Sequence, residues 1–431
     1  MEKYVLKDLI SVKRGMSLSG EYYSTEGDLI RLTLGNFQEE GGFKINTSKD
    51  DLYFTGPVKD EFILEEGDII TPLTEQVVGL LGATARIPES GKYIQSGDVA
   101  LIKCISDKID DGYCYYLISS DVVRKQLSAA AQQTKIRHTS PEKIMDCEVF
   151  IPEVKEQRKV AKLLDGINKK IELNNKINDN LAQYLNDLYV HWFLQYDFLD
   201  KDEKPYKSSG GKFLWNDELK RSIPDNWKVA KLGDLFDSER GISYSTPNIS
   251  SGKGNPMINL ASFAPGGGAY KPTGLKHFDG TYASSKVLHP YDLVMCNTQQ
   301  TAIDFDKDII GRAMLIPDIF DEDILSSHHV NVIRPYNMLL KEYLLFLFNS
   351  DFFHKYISGH TNGTNILGLV FSGVEDYKTE IPPDYVLERF SNTVLKVEAI
   401  KSSILRENSD LNAIRQFLMP MLMSGQAIIA D

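Results

Sequence analysis

The sequence has few of the features that mark a secreted, membrane-bound or metal-binding protein. It contains only four cysteines in 431 residues, Cys104, Cys114, Cys147 and Cys296. They lack the spacing of zinc ligands or of a disulfide framework, so reduced thiols are expected. No apolar run is long enough to span a bilayer, and the N-terminal MEKYVLKDLISV lacks the apolar core of a signal peptide. These absences predict a cytoplasmic protein without a membrane segment.

The sequence also lacks the motifs of common nucleotide-dependent enzymes. SSGKGNP, at residues 250–256, has a Gly-Lys-Gly without the spacing of a phosphate-binding loop. The glycine-rich APGGGAY, at residues 264–270, neither clearly follows a strand nor opens a helix, as a dinucleotide site requires. The signature of amino-methyltransferases, Asn/Asp-Pro-Pro-Tyr/Phe, does not occur. We therefore predict that the chain is not an enzyme.

Two patterns imitate metal sites. Glu142, Glu153 and Lys155 resemble the acid and Glu-x-Lys of a nuclease, but acidic residues are favoured at a helix start in any case. His328 and His329 are adjacent, and neighbouring side chains of a strand point to opposite faces, so they cannot readily share an ion. The sequence therefore predicts no metal site.

The first half of the sequence returns in the second half, in the same order. LKDL followed by Arg14-Gly15 returns as LGDL followed by Arg240-Gly241, and FILEEGDIITPLTEQ returns as KVLHPYDLVMCNTQQ. LLGATARIP then pairs with IIGRAMLIP, and SGDVALIK pairs with SHHVNVIR. Matched segments in one order, with a slowly drifting offset, indicate one domain that occurs twice with insertions and deletions in its loops.

Each copy begins with short β-type runs separated by Gly, Pro, Asn and Asp, and it ends in a long helical segment. We predict an α+β protein with two repeated mixed α/β domains, each followed by a long helix. The predicted ranges are 1–153 for the first domain, 154–199 for its helix, 200–226 for a polar linker, 227–383 for the second domain and 384–431 for its helix. Below, residues 1–153 are called the N-terminal repeat and residues 227–383 the C-terminal repeat.

The two predicted helices carry the same heptad pattern at a constant offset of 230 residues. Stripes of this length need a partner, so we predict an antiparallel coiled coil related by a pseudo-twofold axis, with an asparagine that fixes the register. Packing of each stripe on its own globular domain is the alternative. The predicted seam residues are Val160, Ile167, Asn174, Leu181 and Leu188 in the first helix and Phe390, Val397, Ile404, Leu411 and Leu418 in the second.

The chain is acidic, with a net charge of −12, which argues against non-specific coating of nucleic acid. Residues 124–143 are a local exception, because basic residues dominate there and amides and hydroxyls stand among them. Such groups read base edges, while cations contact phosphates. A solvated helix end and loop is the competing interpretation for any one residue. The predicted DNA contacts here are Arg124, Lys125, Gln132, Gln133, Thr134, Lys135, Arg137 and His138.

The equivalent stretch of the C-terminal repeat is nearly uncharged, and the two repeats should therefore read different sequences. Its predicted contacts are His360, Asn362, Gly363, Thr364 and Asn365, since Asn suits adenine edges and Gly allows a close backbone approach. Other candidates follow equivalent strands, where a strand-end turn is an equally good interpretation. These are Thr74 and Gln76 in the first copy and Thr298, Gln299 and Gln300 in the second. Lys13, Arg14 and Arg240 are candidate phosphate contacts.

Several segments resemble the specificity subunits of type I restriction-modification enzymes. The string IPEVKEQRKVAKLLDGINKKIELNNKINDNLAQ, preceded by TKIRHTS, resembles the junction that closes each target-recognition domain in that family, with its Ile-Pro segment, Glu-Gln pair and long helix. EKPYKSSGGKFLWNDELKRSIPDNWKV resembles the central region of the family, and IRQFLMPMLMSGQ its C-terminal end. The second junction, IPPDYVLERFSNTVLKVEAI, lacks the Glu-Gln pair. Together these segments extend the resemblance over essentially the whole chain.

The resemblance implies two target-recognition domains, each reading one half of a bipartite, asymmetric sequence in double-stranded DNA. The helices would hold the domains apart and dock two modification subunits, and restriction subunits would join through these. The chain itself would have no cofactor, with S-adenosylmethionine, ATP and Mg²⁺ expected on the partners. The aromatic cluster around Trp192 would pack against the second domain or, alternatively, contact a modification subunit. Competing hypotheses are a coiled-coil scaffold with two protein-binding domains and an enzyme with a diffuse site.

Overall fold

The computed structural model describes residues 1–39, 41–46, 49–75, 79–130, 137–250, 252–299 and 304–429. It is a mixed α+β structure that divides into two compact units. One unit comprises Met1–Glu172 and Asp410–Asp431, and the other comprises Leu173–Ser409. Each unit thus contains one repeat and a segment of each long helix. None of the described helices has the length and apolar character that a membrane crossing requires.

The N-terminal repeat is built from short strands in small sheets. The main sheet has the order β2-β10-β6-β8, and a second sheet has the order β3-β5-β4-β9, in which β4 and β9 are parallel. β1 pairs with β12, and β7 pairs with β11. The elements are β1 (Glu2–Val5), β2 (Ile10–Arg14), β3 (Tyr23–Ser24), β4 (Ile30–Arg31), β5 (Tyr53–Phe54), β6 (Ile69–Pro72), β7 (Thr74–Glu75), β8 (Ala85–Arg86), β9 (Tyr93–Ile94), β10 (Val99–Cys104), α1 (Asp111–Ile118), α2 (Asp121–Ala130), β11 (Arg137–His138), α3 (Pro141–Met145) and β12 (Glu148–Ile151).

The first long helix, α4 (Val154–Tyr189), continues as a π-helical turn, Val190–Leu194. A buried glutamine fixes its start. Gln157 donates from Nε2 to the carbonyls of Lys108 and Pro152, both at 2.8 Å, and its Oε1 accepts from the backbone N–H of Asp110 at 2.9 Å. The glutamine of the Glu-Gln motif therefore clamps the start of the helix to the domain. In the second long helix the buried Leu387 occupies the equivalent position.

The segment predicted as a polar linker contains a β-hairpin, β13 (Phe213–Asn216) with β14 (Arg221–Pro224). Aromatic contacts hold it in place, since the ring of Phe213 in β13 lies 5.7 Å from that of Tyr196 and 5.9 Å from that of Tyr206. Trp192 is buried in the same hydrophobic core as Tyr343 of the C-terminal repeat. This confirms the predicted packing of the aromatic cluster at the end of the first helix.

The C-terminal repeat has strand orders that match those of the N-terminal repeat. The main sheet is β16-β24-β20-β22, the second is β17-β19-β18-β23, β15 pairs with β27, and β21-β26-β25 corresponds to β7 and β11. The elements are β15 (Lys228–Lys231), β16 (Phe236–Arg240), β17 (Ile249–Ser250), β18 (Asn255–Ile258), β19 (Lys276–Phe278), β20 (Leu293–Cys296), β21 (Thr298–Gln299), β22 (Ala313–Leu315), β23 (Leu325–Ser326), β24 (Val330–Pro335), α5 (Leu340–Asn349), α6 (Asp351–Ser358), β25 (Thr361–Asn362), β26 (Leu367–Leu369), α7 (Phe371–Asp376) and β27 (Lys378–Ile381).

The second long helix, α8 (Asp384–Met423), pairs with α4 within each unit. In the unit Leu173–Ser409, Asn174 Nδ2 donates to Asn408 Oδ1 at 2.9 Å, and the ring of Tyr189 lies 6.4 Å from that of Phe390. Residue numbers rise along α4 while they fall along α8, so these segments run antiparallel.

The same direction holds in the other unit, where Arg415 Nη1 donates to Asn168 Oδ1 at 2.8 Å and Val160 shares a hydrophobic core with Leu422. The predicted seam positions face these contacts and are withdrawn from solvent. The buried ones are Val160, Ile167, Asn174, Phe390 and Val397, and the half-buried ones are Leu181, Leu188, Ile404, Leu411 and Leu418.

Candidate nucleic-acid interface

One small sheet in each repeat brings together groups that are distant in sequence. In the N-terminal repeat, β7 pairs with β11, which places Thr74 opposite His138. In the C-terminal repeat, β26 pairs with both β21 and β25, so Thr298 and Asn362 both lie opposite Gly368. We call β7 with β11, and β21 with β26 and β25, the small sheets. Each small sheet combines the two groups of DNA contacts that the sequence predicts separately.

The small sheet of the C-terminal repeat carries an exposed turn at residues 362–366. Asn362, Thr364 and Asn365 are exposed there, which leaves amide and hydroxyl groups available to a ligand. Gly363 has φ +116°, and a Cβ at this position would lie 1.9 Å from the carbonyl oxygen of Ile366. The turn therefore requires glycine. His360 precedes the turn, is half-buried, and has Nδ1 3.1 Å from the carbonyl oxygen of Tyr356.

The candidates at the strand ends are not exposed as a direct DNA contact would require, because Thr74, Thr298 and Gln299 are buried. Thr298 Oγ1 lies 2.7 Å from His329 Nδ1, and Gln299 Oε1 accepts from the backbone N–H of Ile309 at 2.9 Å. These side chains satisfy polar groups inside the domain, as buried polar side chains must. In the described structure Thr298 and Gln299 thus hold groups within the domain, and DNA contact by the strand-end positions stays a prediction.

Arg137 is also placed differently from its predicted DNA contact. Its Nη1 lies 2.9 Å from Glu75 Oε1, and its Nη2 donates to the carbonyl and hydroxyl oxygens of Ser128, both at 2.8 Å. Glu75 is 2% exposed, and its Oε2 accepts from the backbone N–H of Leu80 at 2.8 Å, with the N–H groups of residues 79 and 81 at similar distances. A buried carboxylate needs such partners, so the guanidinium is engaged within the protein.

The remaining cations of this stretch divide into engaged and exposed groups. Arg124 donates to the carbonyl oxygens of Gly79 and Glu39, at 3.1 and 2.6 Å, which again differs from a free DNA contact. Lys125 forms a pair with Asp121 at 3.0 Å in which both side chains remain largely exposed. Such a surface pair is weak, so Lys125 stays accessible to a phosphate. His138, in strand β11 of the small sheet, is also exposed.

The repeated Arg-Gly pair presents an exposed arginine in each repeat. Within the described part of the chain, Arg14 and Arg240 have no hydrogen-bond or ion-pair partner for their guanidinium groups. The following glycine crosses another backbone closely: a Cβ at Gly15 would lie 2.2 Å from Ser96 O, and one at Gly241 would lie 2.2 Å from Ser326 O. The neighbouring Lys13 forms an ion pair with Glu61, which lies in the short 3-10 helix Asp60–Phe62.

Six predicted contacts, Gln76, Gln132, Gln133, Thr134, Lys135 and Gln300, lie outside the described residues. Over the ranges that the structure covers, no three His, Cys, Asp or Glu side chains are grouped as a metal site would need.

Sequence reasoning missed a cavity of about 450 Å³ in the C-terminal repeat, beside β21. Tyr244, Lys271, Lys276 and His329 are among its lining residues. Burial lowers the pKa of His329 below its ordinary value, and the charges of His328, Arg240 and Lys276 lower this pKa further. The lysines come from loops and a short strand, where the sequence gives no periodic signal. The sequence feature that could have indicated this cavity is the alignment of SHHVNVIR with SGDVALIK, in which His329 is equivalent to Asp98.

Comparisons with known proteins agree with this architecture. Residues 1–183 match the family model described as the type I restriction modification DNA specificity domain. The chain is 22% identical over 326 residues to the type I restriction enzyme MjaIX specificity subunit of Methanocaldococcus jannaschii, which covers 75% of this chain and 71% of the relative. It is 20% identical over 328 residues to the MjaVIII specificity subunit of the same organism, covering 74% and 70%.

A solved structure shares the fold. The S subunit of a type I restriction-modification system from M. genitalium superimposes with a TM-score of 0.56 at 14% identity, covering 98% of this chain and 96% of that one. The family model, the curated relatives and this shared fold all indicate the same type of protein. Residues 1–183 are therefore similar to the type I restriction modification DNA specificity domain, and the chain as a whole is similar to type I restriction enzyme specificity subunits and shares the fold of one.

Proposed function

We propose that the chain is the DNA sequence-specificity subunit of a type I restriction-modification complex, and that each repeat is a target-recognition domain for one half of a bipartite, asymmetric site. One observation carries this proposal: equivalent small sheets expose different polar groups in the two repeats. The C-terminal repeat exposes the uncharged turn at residues 362–366, while the N-terminal repeat exposes His138 in its small sheet and Lys125 in α2. One framework with two different sets of exposed groups suits two different half-sites.

The exposed turn has the chemistry of a base-reading element. The side-chain amides of Asn362 and Asn365 can each donate to and accept from the major-groove edge of adenine. Ile366, which is also exposed, offers an apolar surface suited to a thymine methyl group. Gly363 keeps the backbone free of a side chain at the tip of the turn. Arg14 and Arg240, exposed in equivalent positions, are suited to the phosphates beside each half-site.

The paired segments of α4 and α8 support a second part of the proposal, an antiparallel coiled coil with pseudo-twofold symmetry that serves as spacer and as docking platform. Asn174 and Asn408 hydrogen-bond within the seam, which is a known way of fixing helix register. On the outer faces of the helices, Tyr184 and Ile414 are 51% and 46% exposed at equivalent positions. Two equivalent apolar positions would receive two identical modification subunits.

In this proposal the chemistry belongs to the partner subunits. The modification subunits would bind S-adenosylmethionine and methylate adenine, and the restriction subunits would use ATP and Mg²⁺. The chain described here would supply sequence recognition and geometry and would act in the cytoplasm.

Selection from a random library of duplex DNA tests the proposal. The full-length chain is used alone and assembled with its modification subunits, and the bound DNA is sequenced. The expected result is enrichment of one motif with two specific parts separated by unspecified bases. Absence of enrichment under both conditions would contradict DNA reading and favour a protein scaffold.

A further inference from the structure

The cavity of the C-terminal repeat has the form of a ligand site. Its volume is about 450 Å³, and Phe263 and Ile309 contribute apolar surface to its lining. Gln299 of β21 also lines it, so the cavity adjoins the small sheet that carries the exposed turn. A concave apolar surface with a few convergent polar groups is the usual form of a binding site.

Three lysines line the cavity, and only one of them has an ion-pair partner among the described residues. Lys307 forms an ion pair with Asp304 at 3.2 Å. Lys271 and Lys276, in contrast, have no carboxylate within ion-pair distance among the described residues, and the Lys276 ammonium lies 5.9 Å from the ring centroid of Tyr244. An anion entering the cavity would meet positive charge without displacing an existing carboxylate.

His329 adds a directed hydrogen-bonding group to this lining. Thr298 Oγ1 lies 2.7 Å from His329 Nδ1, and the His328 ring centroid is 3.9 Å from that of His329, so the ring is held in place. When the Thr298 hydroxyl donates to Nδ1, the neutral imidazole carries its proton on Nε2 and can donate it to an anion. Arg240 contributes to the same positive field, as its effect on the His329 pKa indicates.

The N-terminal repeat shows that this charge is not required by the fold. The backbone N–H of Leu73 donates to Asp98 O at 2.8 Å, just as that of Asn297 donates to His329 O at 2.9 Å, so Asp98 is the equivalent of His329. By the register of β5 and β19, Leu52 is equivalent to Lys276. An acidic and an apolar residue therefore stand where the C-terminal repeat has a histidine and a lysine.

We propose that this cavity binds a backbone phosphate of the DNA that the C-terminal repeat reads, with Lys271 and Lys276 supplying charge and His329 a hydrogen bond. The inference rests on the proposed function and adds to it a phosphate site in the C-terminal repeat, where the N-terminal repeat has Asp98 in place of His329 and Leu52 in place of Lys276. A free nucleotide has the same phosphate chemistry, and the experiment separates the two sources.

The test uses the full-length chain assembled with modification subunits and a duplex that carries the enriched motif. Binding is titrated at several salt concentrations for the wild type, for Lys271→Ala with Lys276→Ala, and for His329→Asp, which copies the N-terminal repeat. The matched control is Lys207→Ala with Lys228→Ala, which removes the same charge at exposed positions outside the cavity lining. Loss of one phosphate contact should lower the slope of log affinity against log salt by about 0.9.

The expected result is a lower slope and about tenfold weaker binding for the cavity double variant, weaker binding for His329→Asp, and no change for the control. A slope equal to that of the wild type, with the bipartite motif still enriched, would overturn the phosphate site and leave the proposed function intact. A saturable thermal shift with dAMP that the double variant loses, while the duplex slope stays unchanged, would assign the cavity to a free nucleotide and overturn the proposal. Failure of the wild-type complex to select any DNA would instead overturn the proposed function.

Discussion

Arg137 and Glu75 join the two strands of the N-terminal small sheet through an ion pair of 2.9 Å, and Gln299 and Leu367 occupy the same paired positions in the C-terminal repeat. One repeat therefore holds its sheet with a buried ion pair, and the other holds it with a neutral pair. The comparison supplies a substitution that the fold already accommodates.

Arg137→Leu alone should destabilise the protein by about 3 kcal/mol, because it leaves the Glu75 carboxylate buried without its cation. The double variant Glu75→Gln with Arg137→Leu should regain most of this loss, since the amide still accepts from the backbone N–H groups. Urea unfolding of the two variants and of Glu75→Gln measures the coupling. If Arg137→Leu has the same midpoint of urea unfolding as the wild type, the ion pair does not stabilise the fold.

The glycines of the repeated Arg-Gly pair should not tolerate a methyl group. A Cβ at Gly241 would lie 2.2 Å from one backbone carbonyl oxygen and 2.4 Å from the next, so Gly241→Ala should cost about 2 kcal/mol. Gly166 is the control: it lies within α4 with open space around it, and Gly166→Ala should stabilise the helix by about 0.5–1 kcal/mol. Thermal unfolding of both variants provides the measurement, and equal midpoints would refute the close-crossing explanation.

Two aromatic positions on the first long helix should give opposite phenotypes. Trp192→Ala should lower the free energy of unfolding by about 3–5 kcal/mol and leave capture of modification subunits intact, because Trp192 is buried in the core. Tyr184→Ala combined with Ile414→Ala should leave stability nearly unchanged and reduce capture, because both side chains are exposed. Pull-down and thermal unfolding separate the two effects. Undiminished capture by the double variant would remove these positions from the docking surface.

His354 should make the stability of the protein depend on pH. Its side chain is fully buried, and burial lowers its pKa below the ordinary value of 6.5, with the charge of Arg312 lowering it further and Asp308 opposing the shift. Above pH 6.5 both the folded and unfolded states hold a neutral ring, and this contribution to stability is complete. Below pH 6.5 the unfolded state binds a proton first, so stability is lost as the pH falls towards the folded-state pKa.

The difference in the free energy of unfolding between the wild type and His354→Asn, measured from about pH 7.5 to about pH 5.5, isolates this group from other histidines. The wild type should lose stability relative to the variant as the pH falls. A difference that stays constant across this window would contradict a histidine that is kept neutral by the fold.

Local and periodic patterns of the sequence predicted much of this fold. The two helices followed from heptads that repeat at Val160 and Phe390, because heptad spacing directly encodes a buried stripe. The strand orders of the two repeats match because the segments that recur in the sequence form the strands. The hairpin at residues 213–224 was missed because the polar residues around it hide the aromatic contacts that order it.

The candidate site was less predictable, because it depends on contacts between distant segments. A cluster of cations in sequence does not reveal which ones are neutralised. Arg137 meets a glutamate from another strand, and Arg124 meets backbone carbonyls, so both are engaged inside the domain. Lys271 and Lys276 come from an unremarkable sequence, and only the fold places both at one cavity with His329. The sequence therefore identifies the basic residues, but only the structure shows which of them remain available to a ligand.

The central claim is that each repeat reads its own half of one DNA site. The most direct measurement compares the motif selected by the wild-type complex with that selected by Asn362→Ala combined with Asn365→Ala, after thermal unfolding has shown equal stability. One half of the motif should lose its base preference, while the other half and the spacing between them are retained. Loss of preference in both halves, or an unchanged motif, would contradict this claim.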